Sequence, residues 1–194
     1  MKTRGDKGEI LNLRESPVKI LCSHCQKVVG IREHHTDPDL GPVLCPDCGD
    51  HFITEYGGVS LGEYLDRFEE PLIVINSELR VVACNRKGRG EVEATGIRPY
   101  GLLNGDFMDC RNSTLGDGCG QTPYCPQCGI RNSVTQTLQT GKPLERVSVT
   151  FTGSGENGTC TREWSLSTRK VGETVHVGLR HPAKSRIGTQ FRRV

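Results

Sequence analysis

The stretch on which the predicted fold depends runs from Asp109 to Thr140 and reads DCRNSTLGDGCGQTPYCPQCGIRNSVTQTLQT. It carries four cysteines with the spacing C-x8-C-x5-C-x2-C, which we call the central set: Cys110, Cys119, Cys125 and Cys128. Glycines stand among them, and because glycine adopts tight turns at little cost, the backbone can approach whatever the sulfurs hold. Cysteine thiolates bind both zinc and iron–sulfur clusters. The stretch therefore predicts a metal or cluster site.

The predicted site leads directly into a predicted helix. Apolar residues recur at every fourth position after the last cysteine, as on one face of a helix: Ile130, Val134 and Leu138. Gly141 then marks the end of the helix. Unpaired N–H groups and the positive dipole end of a helix stabilise thiolates, and Cys125 and Cys128 stand at its beginning. We therefore expect the cysteine site to be attached to a core helix.

The composition predicts a loop-rich protein outside the membrane that depends partly on bound metal. Only 34% of the 194 residues are hydrophobic, and 24 are glycines. The net charge of +2 does not require an acidic or nucleic-acid partner. No apolar run approaches the ~20 residues of a membrane span, and the N-terminal sequence lacks a signal-peptide pattern, so a cytoplasmic protein is expected. In a reducing compartment, ten cysteines indicate metal binding or catalysis rather than disulfides.

Four further cysteines, the N-terminal set, form two C-x2-C pairs separated by 19 residues: Cys22, Cys25, Cys45 and Cys48. Each pair directs two sulfurs at one point, and two pairs complete a tetrahedral zinc site. Iron in the same four-thiolate arrangement and a disulfide-shuttling dithiol are the alternatives. Since four donors fill such a site, the nearby histidines are expected not to be ligands: His24, His34, His35 and His51.

The segments CSHC and CPDC resemble the cysteine pairs of a rubredoxin-like zinc ribbon, so a small ribbon is expected over residues 18–56. Zinc ribbons that bind nucleic acid need a basic surface. Between Cys22 and Cys48 the sequence has two basic residues against four acidic ones: Lys27, Arg32, Glu33, Asp37, Asp39 and Asp47. Nucleic-acid binding is therefore disfavoured, and a structural or protein-contact role is expected.

The remaining patterns predict an α+β protein. Ser60 and Glu63 form a capping-box pattern at the start of a linker helix within residues 57–70. The apolar face of this helix is expected to pack on its own domain, and a docking or dimer contact is the alternative. Residues 71–182 carry strand patterns in PLIVIN and RVVACN, a helix pattern over 86–95, and three strand patterns after the cysteine stretch. Two end segments complete the predicted organisation: a mobile arm, 1–17, and a basic tail, 183–194.

The order of these elements resembles that of a PAS sensor domain. PLIVINSELRVVACNRKG is similar to the opening hairpin of that family, with Asn85 at the end of its second strand. GLLNGDFMDC is similar to the segment before the family's ligand-side helix. The resemblance implies an antiparallel five-stranded sheet with flanking helices and, in this chain, a cysteine-rich insertion. Similar cysteine-bearing PAS domains occur in bacterial redox and oxygen sensors that hold an iron–sulfur cluster.

The spacing of the central set leaves the bound species open. A structural zinc usually takes two C-x2-C pairs, whereas Cys110 and Cys119 stand apart, which favours a larger iron–sulfur cluster over a second zinc or metal-free thiol chemistry. His176 is predicted on the sheet face opposite Val175 and Val177, so haem ligation is disfavoured. Two cysteines outside both sets are expected to be ordinary buried or edge residues: Cys84 and Cys160.

These features predict a cytoplasmic sensor of redox state or oxygen that signals through protein contacts. A change of charge or loss of the cluster would act on the attached helix. The expected partners are a signalling kinase or regulator, and a second copy of the chain. The alternative is a zinc-stapled interaction adaptor without sensing. An enzyme is disfavoured, because no paired acid and base or nucleophile–histidine arrangement stands out.

Overall fold

The structure is a computed structural model, which describes residues 18–32, 42–90, 100–115, 118–155 and 158–181. The arm 1–17, the basic tail 183–194, and the histidines His34 and His35 lie outside the described residues. The helix predicted over 86–95 is described only in its first half.

The described residues form an α+β fold, as the sequence predicts. Their seven strands are β1 (Val18–Leu21), β2 (Val28–Arg32), β3 (Leu72–Ile75), β4 (Val81–Cys84), β5 (Leu144–Gly155), β6 (Gly158–Val171) and β7 (Thr174–Arg180). The helices within the same ranges are α1 (Pro46–Glu55), α2 (Leu61–Leu65), α3 (Arg86–Gly90), α4 (Asn104–Phe107) and α5 (Gly129–Thr140). Two 3₁₀ turns precede α5: Arg111–Thr114 and Cys125–Gln127.

An antiparallel five-stranded sheet has the order β4-β3-β7-β6-β5 and confirms the predicted sheet. Strand β7 pairs with β3 on one side, placing His176 opposite Val74, and with β6 on the other, placing His176 opposite Arg169. The strands before and after the cysteine stretch therefore belong to one sheet. The separate β1–β2 hairpin is also antiparallel. Membership of the PAS family stays a prediction.

One face of the sheet packs against α5. Ile130 and Val134, on the predicted apolar face of this helix, are buried in a cluster with residues of β5, β6 and β7. Thr137 of α5 and Thr168 of β6 form a buried hydrogen bond between their hydroxyl groups, 2.5 Å long. Apolar contacts and a buried hydrogen bond therefore hold α5 on the sheet.

The opposite face of the sheet packs against α1 and α2. One buried cluster joins these helices to the sheet: Phe52, Tyr56, Leu61, Leu65, Leu72, Val74, Val82 and Ala83. The predicted capping box of Ser60 and Glu63 is present at the start of α2. Strand β3 is buried along its whole length, which explains its unbroken apolar sequence LIVI. Helices from the predicted ribbon, 18–56, and the predicted linker, 57–70, thus pack directly on the sheet.

A buried polar pair connects α1 to this face. Tyr56 Oη and His176 Nε2 are hydrogen-bonded at 2.7 Å. As predicted, His176 lies opposite Val175 and Val177, which face the α5 side of the sheet. Burial, together with the Arg169 guanidinium, lowers the pKa of His176 to about 4, so the imidazole is neutral at pH 7. Burial also raises the pKa of Tyr56 to about 12, so its hydroxyl stays protonated.

We expect the folded protein to lose stability as the pH falls from 6.5 to about 4 because of His176. In this window the unfolded chain binds a proton on His176 and the folded chain does not, so protonation favours unfolding. The depressed pKa corresponds to a loss on the order of 3 kcal/mol in the free energy of unfolding. Chemical denaturation at several pH values measures this loss, which should be smaller in a His176→Gln protein.

Other titratable or charged groups surround the Tyr56–His176 pair and are common to both proteins: Glu55, Tyr64, Glu70, Arg169 and Arg180. The difference between wild type and His176→Gln therefore reports the histidine. Tyr64→Phe, which removes a neighbouring hydroxyl, is the matched control and should keep the wild-type pH dependence. An identical pH dependence in wild type and His176→Gln would contradict the expectation.

Candidate metal centres

The N-terminal cysteine set converges on one point. Its four Sγ atoms all lie within 4.8 Å of one another, and the Sγ atoms of Cys25 and Cys45 are 3.7 Å apart. Four thiolates at about 2.3 Å around a tetrahedral zinc ion are about 3.8 Å from one another. Cys22, Cys25, Cys45 and Cys48 therefore have the arrangement of a four-cysteine site for an ion such as zinc.

The turn between β1 and β2 carries the first pair of this set. The Gln26 N–H donates to the Cys22 carbonyl at 3.0 Å, and Gln26 adopts a left-handed φ of 61° that tightens the turn. Ser23 donates to the Val43 carbonyl through its N–H, at 2.7 Å, and through its Oγ, at 3.1 Å. These bonds join the first pair to the segment that leads into the second.

A helix carries the second pair. Cys45 is the N-cap of α1, Pro46 is its first residue, and Cys48 lies in its first turn. Proline suits this position because the first N–H groups of a helix have no intrahelical acceptor. The N-terminal set therefore joins one hairpin to one helix. Its classification as a zinc ribbon stays a prediction.

The electrostatic environment of the N-terminal set favours a bound cation. Burial opposes ionisation of Cys22, but backbone N–H groups of Cys25, Cys45 and His24 outweigh it and lower the pKa of the thiol to about 7. At Cys48, burial and the neighbouring thiols raise the pKa. A metal ion would allow all four thiols to ionise together, because its charge compensates their mutual repulsion.

The described histidines near this set are not in the ligand group. The His24 ring packs edge-on against Phe52, with centroids 5.3 Å apart, and its backbone carbonyl accepts a hydrogen bond from Asn76 Nδ2 at 2.8 Å. His51 Nε2 lies 3.7 Å from Glu55 Oε2. These residues contribute packing and surface contacts.

The central cysteine set surrounds a cavity. Cys110, Cys119, Cys125 and Cys128 all line this space of about 260 Å³, together with residues of α4, α5 and β5. Among the described residues, the N-terminal set is the only group of three or more Cys, His, Asp or Glu ligand atoms within 4.8 Å of one another. The structure therefore brings the central sulfurs to one cavity, where no three of them lie as close together as the sulfurs of the N-terminal set.

Hydrogen-bond donors are directed at two of the central sulfurs. The Gly105 N–H donates to Cys119 Sγ at 3.3 Å, and the Gly120 N–H donates to Cys125 Sγ at 3.2 Å. The Thr122 hydroxyl lies 3.1 Å from Cys125 Sγ. Such donors stabilise thiolates and the sulfurs of metal clusters. Thr122 and Gly105 are site residues that the sequence patterns do not predict; the Thr-x-x-Cys spacing is a local signal for Thr122, whereas Gly105 has none.

The thiols of the central set differ in their tendency to ionise. Burial, reinforced by the neighbouring Cys125 and Cys128, raises the pKa of Cys110 and of Cys119. Burial acts in the same direction at Cys125, but the Thr122 hydroxyl and nearby N–H groups outweigh it, so the pKa of Cys125 is lowered. The Cys125 thiol therefore ionises more readily than the thiols of Cys110 and Cys119.

Helix α5 begins at the central set, as predicted. Cys128 is its N-cap, Gly129 is its first residue, and Cys125 lies in the preceding 3₁₀ turn. A Cβ at Gly129 would lie 2.7 Å from Val149 Cγ1, so glycine permits the close approach of α5 to β5. The helix ends at Gly141, whose left-handed φ of 69° forms the C-cap.

No protein-family model matches the sequence. No helix in the described part of the chain is long and apolar enough to cross a membrane. Cys84 and Cys160 lie outside both cysteine sets: Cys84 is buried with its Sγ 3.9 Å from Tyr100 Oη, and Cys160 is half-buried on β6. The two cysteine sets are therefore the features on which a functional proposal rests.

We expect Cys45→Ser to lower the metal content by one ion per chain and to destabilise the protein. Cys45 caps α1, whose Phe52 and Tyr56 cover one face of the sheet, so loss of the ion loosens that packing. Elemental analysis and thermal unfolding measure the two effects. Cys160→Ser is the matched control and should change neither. An unchanged metal content in Cys45→Ser would contradict the assignment.

A second expectation concerns the close approach of Gly105 to Cys119. A Cβ at residue 105 would lie 2.6 Å from Cys119 Sγ, so Gly105→Ala should displace that sulfur and reduce the metal content of the central set several-fold. Elemental analysis should show that the N-terminal set keeps its metal. Gly62→Ala, where a Cβ meets nothing within 4 Å, is the control. Full metal content in Gly105→Ala would show that Cys119 is not a ligand.

Proposed function

We propose that this chain senses redox state or oxygen, with zinc at the N-terminal set and an iron–sulfur cluster at the central set. The observation that carries the proposal is the cavity that four cysteines share at the beginning of α5. The wide spacing of their sulfurs favours a centre with several metal atoms over a single zinc ion. The donors to Cys119 and Cys125 support it as well, because cluster sulfurs accept such hydrogen bonds.

A cluster bound there supplies one-electron redox chemistry and a centre that oxygen can destroy. Cys128 caps α5 and Cys125 lies in the adjoining turn, so a change in the charge or position of these sulfurs acts on the first turn of the helix. The buried Thr137–Thr168 hydrogen bond joins the far end of α5 to β6. In this proposal the response of the chain is a movement or loosening of α5 against the sheet.

The output of such a sensor is proposed to be a contact with another protein in the cytoplasm. A signalling kinase or regulator, or a second copy of the chain, is the expected partner. Large apolar residues are exposed on the β1–β2 hairpin, with Ile31 exposed to 64%, and they support a protein contact. The same observation favours the second candidate function, a zinc-stapled interaction adaptor without sensing.

Anaerobic purification followed by iron and acid-labile sulfide assays tests the sensor proposal. We expect zinc, iron and sulfide in the wild-type protein, and zinc alone in Cys119→Ser. Cys160→Ser, a cysteine substitution outside both sets, should keep all three. Exposure to oxygen or a chemical oxidant should then increase hydrogen exchange in α5 of the wild-type protein but not in Cys119→Ser.

Zinc at both cysteine sets would reject the sensor and support the adaptor. If the protein contains iron and sulfide but hydrogen exchange at α5 does not change on oxidation, the chain binds a cluster and the proposed response of α5 is rejected. Elemental content and hydrogen exchange therefore separate the identity of the centre from its action on the helix.

A further inference from the structure

Asn104 is a buried polar residue in the wall of the central cavity. It is the first residue of α4, its side chain lines the cavity beside the four cysteines, and only 8% of the residue is exposed. Its Oδ1 is buried and has no hydrogen-bond partner among the described residues. A buried polar atom without a partner costs about 1–3 kcal/mol, so this amide is expected to serve a group other than the described residues.

Two other buried asparagines use both the oxygen and the nitrogen of their amides in hydrogen bonds, which makes Asn104 different. Asn85 accepts two backbone N–H groups with its Oδ1 and donates to two carbonyls with its Nδ2. Asn76 accepts two backbone N–H groups and donates to the His24 carbonyl. These asparagines stabilise turns and strand ends. The Asn104 side chain has no comparable structural role.

The chemistry of the cavity identifies the kind of partner that Asn104 can serve. The four cysteines are hydrogen-bond acceptors when ionised, and the neighbouring Gly105 N–H already donates to Cys119 Sγ. The Asn104 amide carries an N–H₂ group with two donor hydrogens, which can serve acceptors in the cavity that this residue lines. An N–H₂ group is complementary to sulfur, whereas Oδ1 is not.

We propose that the Asn104 side chain donates a hydrogen bond to a sulfur of the centre bound in the cavity and thereby raises its reduction potential. This inference rests on the proposed iron–sulfur function. A donor stabilises the more negative, reduced state of a cluster, and hydrogen bonds to sulfur are among the factors that set cluster potentials. Asn104 is thus a positioning and tuning residue rather than a ligand.

The backbone at Asn104 allows the side chain to be changed. Its N–H donates to the Leu79 carbonyl at 3.0 Å, and its carbonyl accepts from the Met108 N–H at 3.1 Å. Neither bond involves the side chain. Asn104→Leu removes the donor at similar size, Asn104→Asp replaces it with an acceptor, and Asn104→Ser keeps a shorter donor.

The test is a redox titration of the anaerobic full chain, followed by absorption, with iron, sulfide and zinc measured in every sample. In Asn104→Leu we expect a potential lower by about 59 mV, a tenfold change in the ratio of reduced to oxidised centre. Asn104→Asp should lower the potential at least as far, and Asn104→Ser should lie between Asn104→Leu and wild type. Gln136→Leu, which removes an exposed amide from α5, is the control and should match wild type.

An unchanged potential in Asn104→Leu with full iron and sulfide would overturn the inference and leave the proposed function intact. A wild-type potential in Asn104→Asp would overturn it too, because the amide would then act as an acceptor. Loss of iron from Asn104→Leu and Asn104→Asp but not from Asn104→Ser would support the donor role of Asn104. Loss of iron from all three variants would show that the Asn104 side chain is needed for packing and would overturn the inference. Zinc in place of iron and sulfide in wild type would reject the proposed function and the inference together.

Discussion

Both faces of the five-stranded sheet have to be covered, and the chain covers each with a helix that begins at a cysteine pair. Helix α5 begins at the last residue of CPQCG, which starts at Cys125, and α1 begins at the second residue of CPDCG, which starts at Cys45. Short helices are marginally stable alone, because their ordering costs more conformational entropy than their own hydrogen bonds recover. A metal centre at the first turn would restrict that freedom, and the apolar face of the helix then packs on the sheet.

The two sets differ because different numbers of chain segments meet at each. In the N-terminal set one hairpin turn and one helix start each supply two sulfurs, and all four lie within 4.8 Å. In the central set only one pair is close in sequence. The backbone of Cys110 forms an isolated antiparallel β-bridge with Gly153 of β5. The Sγ of Cys119 accepts a hydrogen bond from the Gly105 N–H. Sulfurs on separate segments therefore line one cavity without all meeting at a single point.

Strands β3 and β7 connect the two halves of the structure. Ile73 and Val175 face the α5 side, whereas Val74 and His176 face α1 and α2, because successive side chains of a strand point to opposite faces. The Tyr56–His176 hydrogen bond and the bond from Asn76 to His24 add polar contacts on the second side. The segment that carries the N-terminal set and the sheet therefore share a core.

Features that depend on neighbours along the chain could be predicted from the sequence alone. The C-x2-C pairs, the Ile130–Val134 face of α5, the capping box at Ser60 and the alternation at His176 each follow from spacing within a few residues. Only the tertiary structure decided that α1 packs on the sheet through Tyr56 and His176, 120 positions apart, and that Gly105 supports Cys119 from 14 positions away. It also placed Asn104, whose Oδ1 has no hydrogen-bond partner among the described residues, in the wall of the central cavity. Such contacts depend on which helix and sheet faces pack together after folding, and residue types at neighbouring positions do not specify that packing.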